Sequence, residues 1–184
     1  MNTKLIPATP FGPVALVWAD LDRSPRVFRV LLSPPGTSAV TLARDLYPEA
    51  RPGSCREIDI LAASVREFLA GKSVAFPLDI AALETRPAFQ QAVLRAEHAI
   101  PRGRVSTYGL IAAHLGDRNA ARAVGNALAT NPFPIIVPCH RAVRSGGGLG
   151  GFQGGPAMKR ALLEREGIAF DEAGRVVVPR FHYS

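Results

Sequence analysis

The stretch "STYGLIAAHLGDRNAARAVGNALAT", Ser106–Thr130, decides how the second half of this chain folds. "STYGLIAAHLG" reads as a short helix that Ser106 or Thr107 can cap at its start and Gly116 can close at its end. After the brief "GDRN", a second helix runs through "AARAVGNALAT". Two short helices joined by a tight glycine-containing turn predict a helix-turn-helix. In the second helix, Ala120, Val124, Ala127 and Leu128 make a small-residue face suited to close packing. Arg118, Arg122 and Asn126 recur every four residues on another face. On an isolated helix such a polar row is ordinary solvated surface. As the second helix of a basic helix-turn-helix it faces a nucleic acid.

Charge points the same way. The 184 residues carry a net charge of +7. Through Glu84 there are 9 basic and 9 acidic residues, and from Thr85 onward 13 and 6. The whole excess therefore lies with the helix-turn-helix, where it suits a polyanion such as DNA, although a generic basic surface would also account for it. A 47% hydrophobic chain of this length suits one large domain or two small ones. No apolar run is long enough to span a membrane, and "MNTKLIPATPFGPVALVW" lacks a signal-peptide core, so an intracellular protein is expected. Two cysteines, Cys55 and Cys139, exclude a disulfide scaffold and fit a reducing compartment. Scattered histidines and the lack of a CxxC pair give no metal signal.

Upstream, "PVALVWADL" and "RVFRVLL" read as a hairpin joined by the turn-type link "DRSP". "SAVTLARDLYPEA" is a short helix that ends near Pro48. "REIDILAASVREFLAG" sets Ile58, Leu61, Val65, Phe68 and Leu69 at helical spacing before Gly71. "SVAFPLDI" is expected to be a strand that Pro77 confines to a sheet edge. "ETRPAFQQAVLRAEHAIPRGRV" opens the second unit with a helix lined on one side by Phe89, Val93, Ala96 and Ile100. "PAMKRALLEREG" is a last amphipathic helix with Met158, Leu162 and Leu163 inward. The expected division is 1–84, an α/β unit, and 85–184.

Chemistry concentrates in "VPCHRAVRSGGGLGGFQGG", Val137–Gly155. A free thiol is only slightly ionised at neutral pH, so a nucleophilic cysteine needs a base, a cation or a helix N-terminus nearby. His140 and Arg141 supply the first two in sequence. Adjacent side chains on a strand point to opposite faces, so His140 reaches Cys139 only if the backbone turns or a water bridges them. A histidine base works better with a carboxylate behind it, and Glu166 or Glu164 can provide one. A lone cysteine more often only fills space, and Cys55 is read that way; the Pro-Cys-His-Arg context favours chemistry at Cys139. "SGGGLGGFQGG" holds seven glycines, which permit close backbone approach to a ligand, but it lacks the P-loop pattern.

Together, "IPRGRVSTYGLIA", "ARAVGNALATNPFPIIVPCHRAV", "GGLGGF" and "KRALLEREG" resemble, in order and spacing, the DNA alkyltransferases that repair O-alkylated guanine, the methylated-DNA–protein-cysteine methyltransferase family. The similarity is strongest from Phe89 to Gly167; the first 84 residues match weakly. The resemblance implies an α+β protein, with an N-terminal ribonuclease-H-like α/β domain and a C-terminal winged-helix-like, helix-turn-helix DNA-binding domain. It implies irreversible, single-turnover transfer of an alkyl group from the 6-oxygen of guanine to Cys139. His140 would act as base through a water, held by Glu166, and Tyr108 would rotate the target nucleotide and donate a proton to the base. Arg122 would enter through the minor groove and fill the space of the flipped guanine. Tyr108, Thr107, Arg118, Asn126 and Arg141 complete the expected DNA contacts, with phosphate contacts also from Arg102 and Arg104. Asn131 would brace the link from recognition helix to cysteine. The backbone at Val143, with Gly151, Phe152, Gln153 and Gly154, would line the guanine pocket.

The resemblance implies a monomer without cofactor or metal, acting on double-stranded DNA that carries alkylated guanine, away from membranes, in the cytoplasm or wherever DNA is. Departures from the family pattern are Leu94 where many members have Trp, "ETRPA" before Phe89, and Gln153 in the pocket loop. Two other readings make different predictions. A non-catalytic lesion sensor would bind alkylated DNA without forming an adduct, and a cysteine hydrolase would turn over repeatedly.

Overall fold

An unbroken apolar strand needs cover on both faces. Val14–Trp18 has it: in the computed structural model, which describes Met1–Ser184, all of these residues are buried. They begin β2 (Val14–Leu21), which pairs antiparallel with β1 (Asn2–Ile6) and with β3 (Ser24–Leu31). The link between β2 and β3 is shorter than "DRSP": only Asp22 and Arg23 turn, at φ +50° and +62°, the two-residue geometry that matches strand twist. Ser24 and Pro25 belong to β3, where a proline is tolerated because β3 ends the sheet order β3-β2-β1-β4. The short β4 (Arg51–Pro52) runs parallel to β1.

Two helices complete this unit. Ser38 Oγ accepts from Thr41 N and caps α1 (Ala39–Leu46). Ala39 and Ala43 pack on Ala15, Val17 and Leu31. The second helix, α2 (Arg56–Leu69), buries the expected stripe Ile58, Leu61, Val65, Phe68 and Leu69. "SVAFPLDI" is not a strand. Phe76 packs edge-on against Phe68, Pro77 lacks the amide a ladder needs, and Leu78–Ile80 forms a 3-10 turn. A single bridge, Val27 to Ala81, reaches the sheet.

The chain divides into two compact units, Met1–Thr85 with Pro132–Ile136, and Arg86–Asn131 with Val137–Ser184. Pro132–Ile136 joins the first unit because its carbonyl at Pro132 accepts from Val30 N at 2.8 Å, along the open edge of β3, and because Phe133, Ile135 and Ile136 are buried.

The second unit is built on α3 (Ala88–His98), α4 (Tyr108–His114) and α5 (Ala121–Ala129). Thr107, not Ser106, caps α4 by accepting from Leu110 N, and Gly116 closes that helix at φ +93°. Of the expected side of α3, Val93, Ala96 and Ile100 are buried but Phe89 is exposed, and Leu94 and Glu97 are buried as well. A two-stranded parallel sheet joins β5 (Ser106–Thr107) to β6 (Ala142–Val143), and α6 (Gly155–Arg165) buries Met158, Leu162, Leu163 and Lys159. After it, β7 (Ala169–Phe170) and β8 (Val176–Val177) form a small hairpin. The last residues return to β5, with His182 N donating to Val105 O and Ser106 Oγ to His182 O. No helix is long and apolar enough to cross a membrane.

Candidate active site

The cysteine sits in a turn, which settles how neighbouring side chains can cooperate. Pro138 ends the apolar run, and Cys139–Arg141 coils into a single 3-10 turn closed by Arg141 N donating to Pro138 O at 2.8 Å. His140 and Arg141 both turn onto one carboxylate at the end of α6. His140 Nε2 lies 3.0 Å from Glu166 Oε1. Arg141 grips the same group at both oxygens, Nε to Oε2 at 2.9 Å and Nη2 to Oε1 at 2.8 Å, and its Nη1 donates to Ile100 O at 2.7 Å. Of the two carboxylates left open by the sequence, Glu166 is the partner; Glu164 is exposed and pairs with Arg160.

Charges follow from these contacts. Burial disfavours an ionised Glu166, but the hydrogen bonds from His140 and Arg141 outweigh it and hold its carboxyl at about 2. Burial also keeps His140 below the usual imidazole range, although Glu166 pulls it upward, so the ring is neutral near pH 7. A neutral ring that donates Nε2–H to a carboxylate has its basic nitrogen at Nδ1.

Cys139 as a residue is 8% exposed. Burial pushes Cys139 up to about 11, opposed by a hydrogen bond from Asn131 and by the Lys159 ammonium, and reinforced by Glu97. Asn131 Nδ2 also donates to Val137 O at 3.2 Å, tying the end of α5 to the cysteine segment. Lys159 is fully buried, yet its Nζ reaches Ala142 O at 2.7 Å and Gly151 O at 3.3 Å, joining β6 to the glycine-rich loop.

That loop is shaped by its glycines. At Gly150, φ is +70° and an added Cβ would stand 2.6 Å from Tyr108 Oη, so Tyr108 lies directly against the loop. At Gly154 a Cβ would collide with Met158 Sδ. Phe152 is half-buried and meets the His140 ring edge-on at 6.1 Å. Val143 is buried, Gln153 half-buried and Gly151 exposed.

Arg122 and Asn126 are exposed on α5; Arg118 is exposed too, but it lies in the turn before the helix and not on the expected helical row, and Tyr108 is partly exposed. Two expected DNA contacts need correction. Arg141 is 8% exposed and its guanidinium is engaged by Glu166 and Ile100, and the Thr107 hydroxyl is buried as the cap of α4. Arg102 donates to Arg165 O. Sequence reasoning missed Lys159 and Glu97. Each occupies a position on a buried helical stripe, Lys159 beside Leu162 and Leu163, Glu97 between Val93 and Ile100, and a charge in such a stripe was the available signal.

Residues 88–168 match the family described as "6-O-methylguanine DNA methyltransferase, DNA binding domain". A methylated-DNA–protein-cysteine methyltransferase of Methanothermobacter thermautotrophicus is 42% identical over 108 residues, 59% of this chain and 60% of that one, so the match spans less than two thirds of that relative. A relative with the same description from Mycobacterium leprae is 40% identical over 65% of this chain and 73% of its own length. Among solved structures, Mycobacterium tuberculosis OGT in complex with DNA superposes with a TM-score of 0.70 at 30% identity, covering 91% of this chain and 93% of that one. These likenesses share an N-terminal sheet domain and a helical C-terminal DNA-binding domain. Since the shared sequence reaches nearly three quarters of one relative and the shared fold nine tenths of another, the chain belongs to the methylated-DNA–protein-cysteine methyltransferase family.

Proposed function

We propose that this protein repairs double-stranded DNA by moving a methyl or other alkyl group from the 6-oxygen of guanine onto Cys139, once per molecule. The observation that carries the reading is the Cys139–Arg141 turn closing on Glu166, which sets a thiol beside a neutral, carboxylate-oriented imidazole. Sulfur attacks the saturated carbon, the carbon–oxygen bond breaks, and the electrons pass to the guanine oxygen. The thiol proton leaves through His140 Nδ1 and a water, while Tyr108, which lies against the pocket loop, returns a proton to the base. The product is a thioether with no hydrolytic way back, so the protein acts stoichiometrically.

A base inside a duplex cannot meet the sulfur of a cysteine that is buried, so the nucleotide must leave the stack. Exposed Arg122 on α5 fills the vacated space, and Arg118, Asn126 and Arg104 stand where phosphates pass. Gly151, Phe152, Gln153 and Gly154, with the backbone near Val143, line the pocket, and Asn131 braces the cysteine segment. The protein works as a monomer in the compartment that holds DNA.

The test uses a duplex with one O6-methylguanine. After mixing and digestion, the Cys139 peptide should gain the mass of one methyl group, once per protein molecule. Cys139→Ala should bind the duplex and gain nothing. Repaired DNA with an unmodified Cys139, or product continuing to form after every protein molecule has reacted, refutes the reading.

A further inference from the structure

One buried acid is left unexplained by that reading. Glu97, in the last turn of α3, is 0% exposed, and neither carboxyl oxygen accepts a hydrogen bond of normal geometry. The Ala142 amide points toward it and eases its charge, short of such a bond. Groups from every element around it act on it or feel it: Lys159 on α6, Arg141 and Cys139 in the turn, Tyr108 on α4 and Tyr183 in the C-terminal segment. An isolated buried carboxylate without donors is costly, so such a group stays protonated. Burial indeed pushes Glu97 up to about 8, with Lys159 and Arg141 opposing.

We propose that Glu97 is the proton reserve for the departing guanine, resupplying Tyr108 and then replacing the Cys139 thiolate as the counter-charge to buried Lys159.

The proposal rests on alkyl transfer to Cys139 and deepens it. Once the thiol proton has left through His140, the Lys159 ammonium faces a thiolate and a neutral Glu97. The sulfur–carbon bond forms, the carbon–oxygen bond breaks, and Tyr108 Oη gives its proton to the base. Burial holds Tyr108 above the usual phenol range, so a phenolate left there is unfavourable. The Glu97 carboxyl proton moves to it, directly or through a water. Afterwards the sulfur is a neutral thioether, and the Glu97 carboxylate faces Lys159 in its place. Net charge in this part of the interior does not change during the step. The proton that left the thiol through His140 goes to solvent. Lys159 is the less suitable donor, because two of its three protons already serve Ala142 O and Gly151 O and its positive charge balances the sulfur.

Glu97→Gln and Glu97→Leu remove the transferable proton and suit a buried site. Two reactions of Cys139 are compared by peptide mass: methyl transfer from the O6-methylguanine duplex, whose leaving group needs a proton, and alkylation by iodoacetamide, whose iodide does not. Both variants should slow methyl transfer about tenfold to a hundredfold, at or below the usual worth of a general acid because Tyr108 remains. Neither should slow iodoacetamide alkylation. The wild-type transfer rate should fall above about pH 8 as Glu97 ionises; buried Lys159 is lowered to about 8 as well, so the variants should keep a shallower limb that lacks the Glu97 component. Wild-type transfer rate and pH profile in a folded variant, or equal losses in both reactions, overturn the proposal. If wild-type protein itself gains no methyl on Cys139, the underlying function fails instead.

Discussion

Replacing Glu166 with Gln should destabilise the second unit by about 3 kcal/mol near pH 7, and two routes reach that figure. The carboxyl sits at about 2 against an ordinary value of 4.5, and a displacement of that size corresponds to about 3 kcal/mol. Independently, removing one partner of a buried ion pair costs about 3–5 kcal/mol, because the other charge is stranded; here that is Arg141, whose side chain is 9% exposed. Glu166 is depressed in the folded state, so its stabilisation is complete above pH 4.5 and is lost as pH falls toward 2. The gap between wild type and Glu166→Gln should therefore be constant at neutral pH and close between pH 4.5 and 2. For a chain of this size the neutral-pH gap amounts to about 6–12 °C in Tm. Helix circular dichroism is the right readout, because the only tryptophan, Trp18, lies in the first unit. A gap under about 1 kcal/mol at pH 7, the worth of a surface pair, or one that persists unchanged at pH 2 would refute the assignment of this network as an ionised, buried clamp.

Two further perturbations separate DNA handling from pocket shape. Arg122→Ala removes an exposed side chain, so unfolding should not change, while methyl transfer slows about tenfold to a hundredfold, part of the few kcal/mol that flipping a base costs; iodoacetamide should still modify Cys139 at the wild-type rate, and a matching loss there would mean that Arg122 acts on the thiol. Gly154→Ala drives a methyl into Met158, which is 5% exposed, and should lower stability by about 1–3 kcal/mol and impair transfer, measured by thermal unfolding and single-turnover kinetics.

Legibility tracked how local each feature is. The α2 stripe, the α1 helix and the α4–α5 pair were readable because periodicity and caps are written within a dozen residues. β1 and β4 were not, since "NTKLI" begins polar and Arg51–Pro52 is two residues long; both exist only because β2 and β1 offer them a ladder. "SVAFPLDI" misled because its apolar residues were read as a strand when Phe76 was bound for α2. The family resemblance put Arg141 among the DNA contacts. Its burial depends on Glu166, 25 residues later. Ile135, a β-branched residue at φ +77° just before the cysteine, belongs to the same class: no property of "PFPIIVP" announces a left-handed backbone there.

The Cys-His-Arg triplet shows why composition gives the chemistry before it gives the arrangement. On a strand, His140 would face away from both its neighbours, and Cys139 and Arg141 would share the opposite side. A 3-10 turn instead spreads successive side chains by about a third of a circle, since it has about three residues per turn. Three adjacent residues thereby reach different partners: Cys139 the Asn131 amide, His140 one oxygen of Glu166, and Arg141 both oxygens and the Ile100 carbonyl. The turn closes because Pro138 O accepts from Arg141 N, and it stays closed because Arg141 is anchored at the end of α6 and the end of α3. Arg141 therefore secures the placement of the thiol and the imidazole from a buried position, and its loss should disturb both neighbours together.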